Sequence, residues 1–97
     1  MKNIPNLTLN TGDKDNPTTT TAKMLSACLE SGRPEHGFDF SVIRARNRVA
    51  DVLEKVQDGG EIVLEDADYA TAIESIKLTR WLKPSKHIIQ FADQFGL

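Results

Sequence analysis

Ser41 to Leu64 reads SVIRARNRVADVLEKVQDGGEIVL, which holds a helix, a stop and a strand in succession. Val42, Ala45, Val49, Val52, Leu53 and Val56 fall in one broad sector of a helical wheel, the pattern of a helix with one apolar side. Asp39 or Ser41 can cap its start, because a short oxygen-bearing side chain accepts a bond from a free first-turn amide. The helix is expected over 42–57. Asp58-Gly59-Gly60 ends it, Gly59 being suited to the left-handed backbone that follows a helix. Glu61-Ile62-Val63-Leu64 is then a short β-branched run, a strand that needs a partner to be stable.

Working back from that core, Phe38 and Phe40 are expected to fold over the apolar side of the 42–57 helix. Gly32-Arg33-Pro34-Glu35-His36-Gly37 is rich in turn residues and reads as an exposed linker. Before it, Met24, Leu25, Cys28 and Leu29 recur at three- and four-residue intervals, predicting a helix from about Thr20 to Ser31 that Gly32 and Pro34 stop. One threonine of Thr18–Thr21 caps it. Residues 1–18 read as a flexible N-terminal segment with one short strand, Leu7-Thr8-Leu9, followed by the turn-prone stretch Thr11–Pro17. Leu7-Thr8-Leu9 is the expected partner of Ile62-Val63-Leu64.

Downstream, Glu65-Asp66-Ala67-Asp68 opens a third helix with negative charge, which complements the partial positive charge of a helix N-terminus. Tyr69, Ala72, Ile73 and Ile76 form its buried stripe. The helix frays near Thr79-Arg80-Trp81-Leu82, and Pro84 ends any continuation. A fourth begins at Pro84-Ser85 with Ser85 as cap, carries Ile88, Phe91, Ala92 and Phe95 on one side, and stops at Gly96. The expected fold is mainly α, a small helical bundle of about four helices with a minor two-stranded antiparallel β ribbon (α+β). Residues 19–97 are expected as a single helical domain.

Composition narrows the functional classes. The chain has 97 residues, with 12 Lys+Arg against 14 Asp+Glu and a formal charge of -2. That balance argues against a strongly basic nucleic-acid module, an acidic DNA mimic or a fully disordered tail. The single cysteine excludes an internal disulfide framework and a Cys-rich zinc site. No apolar run approaches the roughly 18–20 residues that span a bilayer. The N-terminus lacks the apolar core and cleavage site of a signal peptide, so a cytoplasmic location is expected.

Chemistry has few candidates. Cys28 with His36 or His87 would be a nucleophile and base, but Cys28 lies between Leu25 and Leu29 on an apolar stripe and reads as a packed small hydrophobe. The histidines stand alone, without a second ligand at metal spacing. Glu61 and Glu65-Asp66-Asp68 suit helix capping better than cation binding, and Asp13-Lys14-Asp15-Asn16 reads as a turn. Asp58-Gly59-Gly60 precedes a strand, so it is a chain reversal and no phosphate loop. Asn6-Leu7-Thr8 matches the glycosylation triplet, which has no meaning without a secretory signal. No catalytic residue, cofactor or metal is expected.

Two surfaces remain. Arg44, Arg48 and Lys55 share the polar side of the 42–57 helix, with Arg46 at its border, and Asp51 and Glu54 lie among them. Such a side suits internal pairing or a protein partner more than phosphate tracking. Trp81, the only tryptophan, is flanked by Arg80 and Lys83 and suits either a plug between helices or an interface anchor. Phe91, Phe95 and Leu97 are expected mostly in the core, since a short chain has few other large residues to bury.

From Arg44 to Phe95 the sequence also resembles small accessory proteins of tailed bacteriophages. The resemblance lies in Gly59-Gly60, Ile62-Val63-Leu64, Glu65-Asp66-Ala67-Asp68-Tyr69, Trp81 and Ile89-Gln90-Phe91-Ala92-Asp93. It implies a phage accessory or assembly factor without catalytic activity, working in the host cytoplasm through protein contacts. The expected function is therefore a non-enzymatic protein–protein interaction module. Its candidate contacts are Arg44, Arg48, Lys55, Arg80, Trp81 and Lys83, its partner is a protein, and self-association is plausible for so modest a core. The alternative is a nucleic-acid-binding regulator using the basic side of helix 42–57.

Overall fold

The computed structural model describes residues 1–97. Four strands and four helices follow in order: β1 (Lys2–Pro5), β2 (Thr8–Asn10), β3 (Thr18–Thr20), α1 (Thr21–Ser31), α2 (Phe40–Glu54), β4 (Glu61–Leu64), α3 (Asp66–Leu78) and α4 (Lys86–Gln94). Helices take 49% of the chain, and the strands form two separate antiparallel pairs, so the class is α+β. No helix is long and apolar enough to cross a membrane.

The helices start and stop where local chemistry requires. Thr20 caps α1 by accepting from the Lys23 amide, and Asp39 caps α2 by accepting from Val42 N. Gly32 ends α1 against α3: a Cβ there would sit 2.2 Å from the Ser75 carbonyl oxygen, so only glycine allows the two backbones to approach this closely. Gly59, with φ of +80°, reverses the chain after α2 as its sequence position implied. Ser85 occupies the N-cap of α4, but its side chain makes no capping bond.

The sheets correct the expected ribbon. β4 pairs with β1, Ile4 opposite Ile62 and Lys2 opposite Leu64, while Leu9 belongs to a second hairpin in which it faces Thr19. Residues 1–18, read as a flexible segment with one short strand, instead carry two complete strands and the first residue of a third. Leu7 is largely exposed and Leu9 buried, so the two do not share a side. The radius of gyration, 13.0 Å, is that of a compact chain of about this length, with the N-terminal strands folded in.

One core joins every layer. Leu25 and Cys28 of α1, Val49 and Leu53 of α2, Ile62 and Leu64 of β4, Ala72 and Ile76 of α3 and Phe91 of α4 meet there, with Ile4 and Leu9 closing the N-terminal side. Complete burial of a residue such as Phe91 contributes about 1.5–3 kcal/mol. Phe91 and Phe95 pack edge to face at 5.2 Å, and Phe95 stacks on Tyr69. Phe38 and Phe40 depart from expectation. Phe40 is 78% exposed, and Phe38 lies half-exposed beneath the Arg46 guanidinium, 5.0 Å from its ring centroid.

Arg46 is the other correction on α2. Expected at the border of the polar side, it is only 4% exposed and lies on the buried side of that border. Its Nη1 donates to the Leu29 carbonyl at 3.0 Å, while Nη2 has no protein partner. Burial pulls this guanidinium below its usual pKa, an effect that nearby Glu74 and Cys28 partly offset.

Candidate functional site

Between the β2–β3 hairpin and the α3–α4 connection lies an open cleft of about 930 Å³. Its hairpin wall is built from local side-chain bonds. Gly12 N donates to Asn10 Oδ1 at 3.0 Å, Asp13 N to Thr11 Oγ1 at 3.1 Å, and Asp15 N to Asp13 Oδ1 at 3.0 Å. Thr11 closes the loop by donating its amide to the Pro17 carbonyl, and its hydroxyl donates to the Asn16 carbonyl. These short polar side chains hold the turn in one shape, as Asn, Asp and Thr commonly do.

The floor comes from α1, which contributes Lys23, Met24 and Ala27, and the far wall from Trp81, Lys83, Ser85 and His87. Trp81 meets Phe91 edge-on at 6.2 Å and is 39% exposed, so it is both a plug over the core and a wall of the cleft. Its neighbour Leu82 is fully exposed. A second hollow of about 530 Å³ shares Thr11, Gly12, Ser85 and His87 with the first and adds Lys86 and Gln90. Nδ1 of His87 is buried without a hydrogen-bond partner.

Charge distinguishes this region. Lys14, Lys23, Lys83 and Lys86 line the joined hollows against one acid, Asp13, in a chain whose formal charge is -2. None of these lysines is in an ion pair; the two ion pairs of the molecule join the Met1 ammonium to Asp66 and Arg48 to Asp68. What sets the region apart is its balance, four cations to one acid, against 12 to 14 in the whole chain.

The residues singled out from the sequence separate into different places. Trp81 and Lys83 line the cleft together; Arg80 is exposed, donates to the Lys77 carbonyl at 3.3 Å and lies outside it. Arg44 and Arg48 are exposed on α2, with Arg48 Nε 3.6 Å from Asp68. Lys55 lines a different hollow of about 450 Å³ beside Asp51, Glu61 and Val63. In the sequence His87 stands out only as a base for Cys28 and Lys14 only as part of a turn, and nothing singles out Lys23 or Lys86. They come together only because β2 pairs with β3 and swings the Thr11–Pro17 turn against α4.

The catalytic candidates do not converge. Cys28 is buried and is not among the cleft residues. Burial pushes its thiol above the ordinary value, with Thr79 and Arg46 offsetting part of the rise, so the nucleophilic thiolate is disfavoured. His36 is exposed in the linker after α1. Of the acidic group, Asp66 holds the Met1 ammonium and is kept below its usual pKa by it, while Asp68 faces Arg48. No three His, Cys, Asp or Glu side chains are grouped as metal ligands would be. Compared with protein-family models, curated proteins and solved structures, the chain matches none of them. Chemically, the cleft can hold anionic groups and cover an apolar or aromatic one.

Proposed function

We propose that the protein is a non-enzymatic interaction module that docks a partner protein on its Trp81 side. The observation that carries this reading is the pairing of a half-exposed tryptophan and a fully exposed Leu82 with a preformed cleft bearing unpaired lysines. Aromatic burial supplies affinity and the cations orient the approach. Arg44, Arg48 and Lys55 take a lesser part, since Arg48 already faces Asp68 and Lys55 lies apart in another hollow. The setting is the one that the resemblance of Arg44–Phe95 implies, a phage accessory or assembly factor in the host cytoplasm.

The test compares three forms of the chain as bait in a lysate of its source, infected where that source is a phage. A protein retained by the parent should be lost with Trp81→Ala/Leu82→Ser and kept with Arg44→Ala/Arg48→Ala. Truncating a hot-spot tryptophan costs at least about 2 kcal/mol of binding, roughly thirtyfold in affinity. Where the partner is a second copy, sedimentation shows a dimer that the Trp81/Leu82 variant dissolves. Retention that survives the Trp81/Leu82 change but fails with Arg44/Arg48 refutes the proposal. Salt-sensitive retention of nucleic acid through those arginines would instead establish the regulator reading.

A further inference from the structure

We infer that the cleft receives a short acidic segment of the partner in extended form, with an apolar side chain seated against Trp81. This rests on the docking function proposed above and adds the chemistry of what docks. Charge complementarity is the main reason. Lys14 stands on the hairpin, Lys23 on α1 and Lys83 at the α3–α4 junction, so three cations approach the cleft from three separate segments, and Lys86 lines the second hollow that shares its Thr11, Gly12, Ser85 and His87. None is neutralised by a protein carboxylate. A ligand with several carboxylates at different positions can meet cations on all three segments.

Shape and lining point the same way. Hydrophobic residues are a minority of the walls, and the main ones are Trp81 and Met24. A wide polar trough with a single aromatic wall is unlike the enclosed, mostly apolar pocket that suits a small organic molecule. It suits a chain whose backbone and carboxylates meet the lysines and hydroxyls while one apolar side chain covers the indole. A nucleic-acid strand fits less well. It continues beyond the cleft at regular charge spacing, onto a surface that must carry the acidic excess of a chain with formal charge -2. A short acidic segment ends within the cationic region.

Trp81, the sole tryptophan, makes its own fluorescence a direct readout. The probe is a capped peptide of Glu and Asp with one central Leu and about ten residues, roughly 33 Å when extended. That length stays within the 38 Å longest extent of the molecule. Controls are the same peptide with Gln and Asn for its acids, and an oligothymidine of equal length. The acidic peptide should shift Trp81 emission saturably, the amide peptide should not, and the oligothymidine should bind more weakly. Lys23→Glu/Lys83→Glu should weaken peptide binding at least about tenfold, as reversal of facing charges does. Arg33→Glu, in the exposed linker after α1 and outside both hollows, should leave it unchanged, with circular dichroism melts confirming that each variant folds.

An absent response to the acidic peptide, an equal response to the amide peptide, indifference to the Lys23/Lys83 change or tighter oligothymidine binding would each overturn the inference. If the acidic peptide fails while Trp81→Ala/Leu82→Ser still abolishes partner capture, the docking function stands and only its acidic chemistry falls. If both fail, both are refuted.

Discussion

Asn6 is 2% exposed and is bonded on every polar atom. Its Nδ2 donates to the Gln57 carbonyl at 3.0 Å, its Oδ1 accepts from Ala22 N at 2.9 Å, and its own amide and carbonyl meet Gly60 and Gly59. One side chain thus joins the corner between β1 and β2 to the start of α1 and the turn after α2. Asn6→Ala should destabilise the fold by about 1–3 kcal/mol in urea titration, because the buried Ala22 amide loses its partner and the Gln57 carbonyl keeps only Gly60 N. Asn6→Asp should also destabilise it, since a carboxylate cannot donate to Gln57. In the sequence this residue was visible only as the first member of a glycosylation triplet. Burial at 2% removes it as an acceptor, and nothing local announces its bonds to residues 16 and 51 positions away. Cys28, by contrast, was legible from its place between Leu25 and Leu29. Its thiol is raised from 9.0 in the folded chain, so the unfolded chain loses this proton first as pH rises. The stabilisation is complete below the unfolded thiol's pKa and is lost progressively above it. Denaturant titrations above pH 9 should show a decline that Cys28→Ala reduces, and thiol reagents should label Cys28 only as the protein unfolds.

At the scale of elements, the helices were readable because each carries a stripe at helical spacing and its own start or stop signal. Asp39, Gly32, Gly59 and Pro84 needed no tertiary information. Gly32→Ala should nevertheless cost about 1–3 kcal/mol in a thermal melt, since its added carbon meets Ser75 backbone and forces α1 from α3. That contact lies outside any local pattern. Strand pairing was misread for a similar reason. Lys2-Asn3-Ile4-Pro5 offers a single apolar residue and ends in proline, whereas Leu7-Thr8-Leu9 looks like the better strand. What decides the pairing is that Ile4 meets Ile62 while Leu9 closes the hairpin with β3. The same hairpin builds the cleft, so half of the candidate site followed from an interaction that the sequence does not display. Phe91→Ala should lower stability by about 3–5 kcal/mol and shift Trp81 emission in the native state, because the indole loses its edge contact at 6.2 Å.

Across the molecule, one core of 15 residues extends from Ile4 to Phe95, and the N-terminal strands are part of it. A chain beginning at residue 19 lacks Ile4, Asn6 and Leu9 and should not unfold cooperatively; the intact chain should give coincident transitions by Trp81 fluorescence and far-ultraviolet circular dichroism. Coincidence in the shortened form would show that residues 19–97 fold alone. Net charge and composition could not reveal that four lysines line two hollows with shared walls, since a total of -2 says nothing of distribution. The ends of the chain are also bound together: Gln94 Nε2 donates to the Pro5 carbonyl at 2.9 Å, and Thr21 Oγ1 donates to Gln94 Oε1 at 2.8 Å. Synthesis runs from the N-terminus, so β1 leaves the ribosome long before either β4 or Gln94 exists. β1 therefore settles only after the strand and the helix that hold it have been made, so the fold cannot close before α4 emerges.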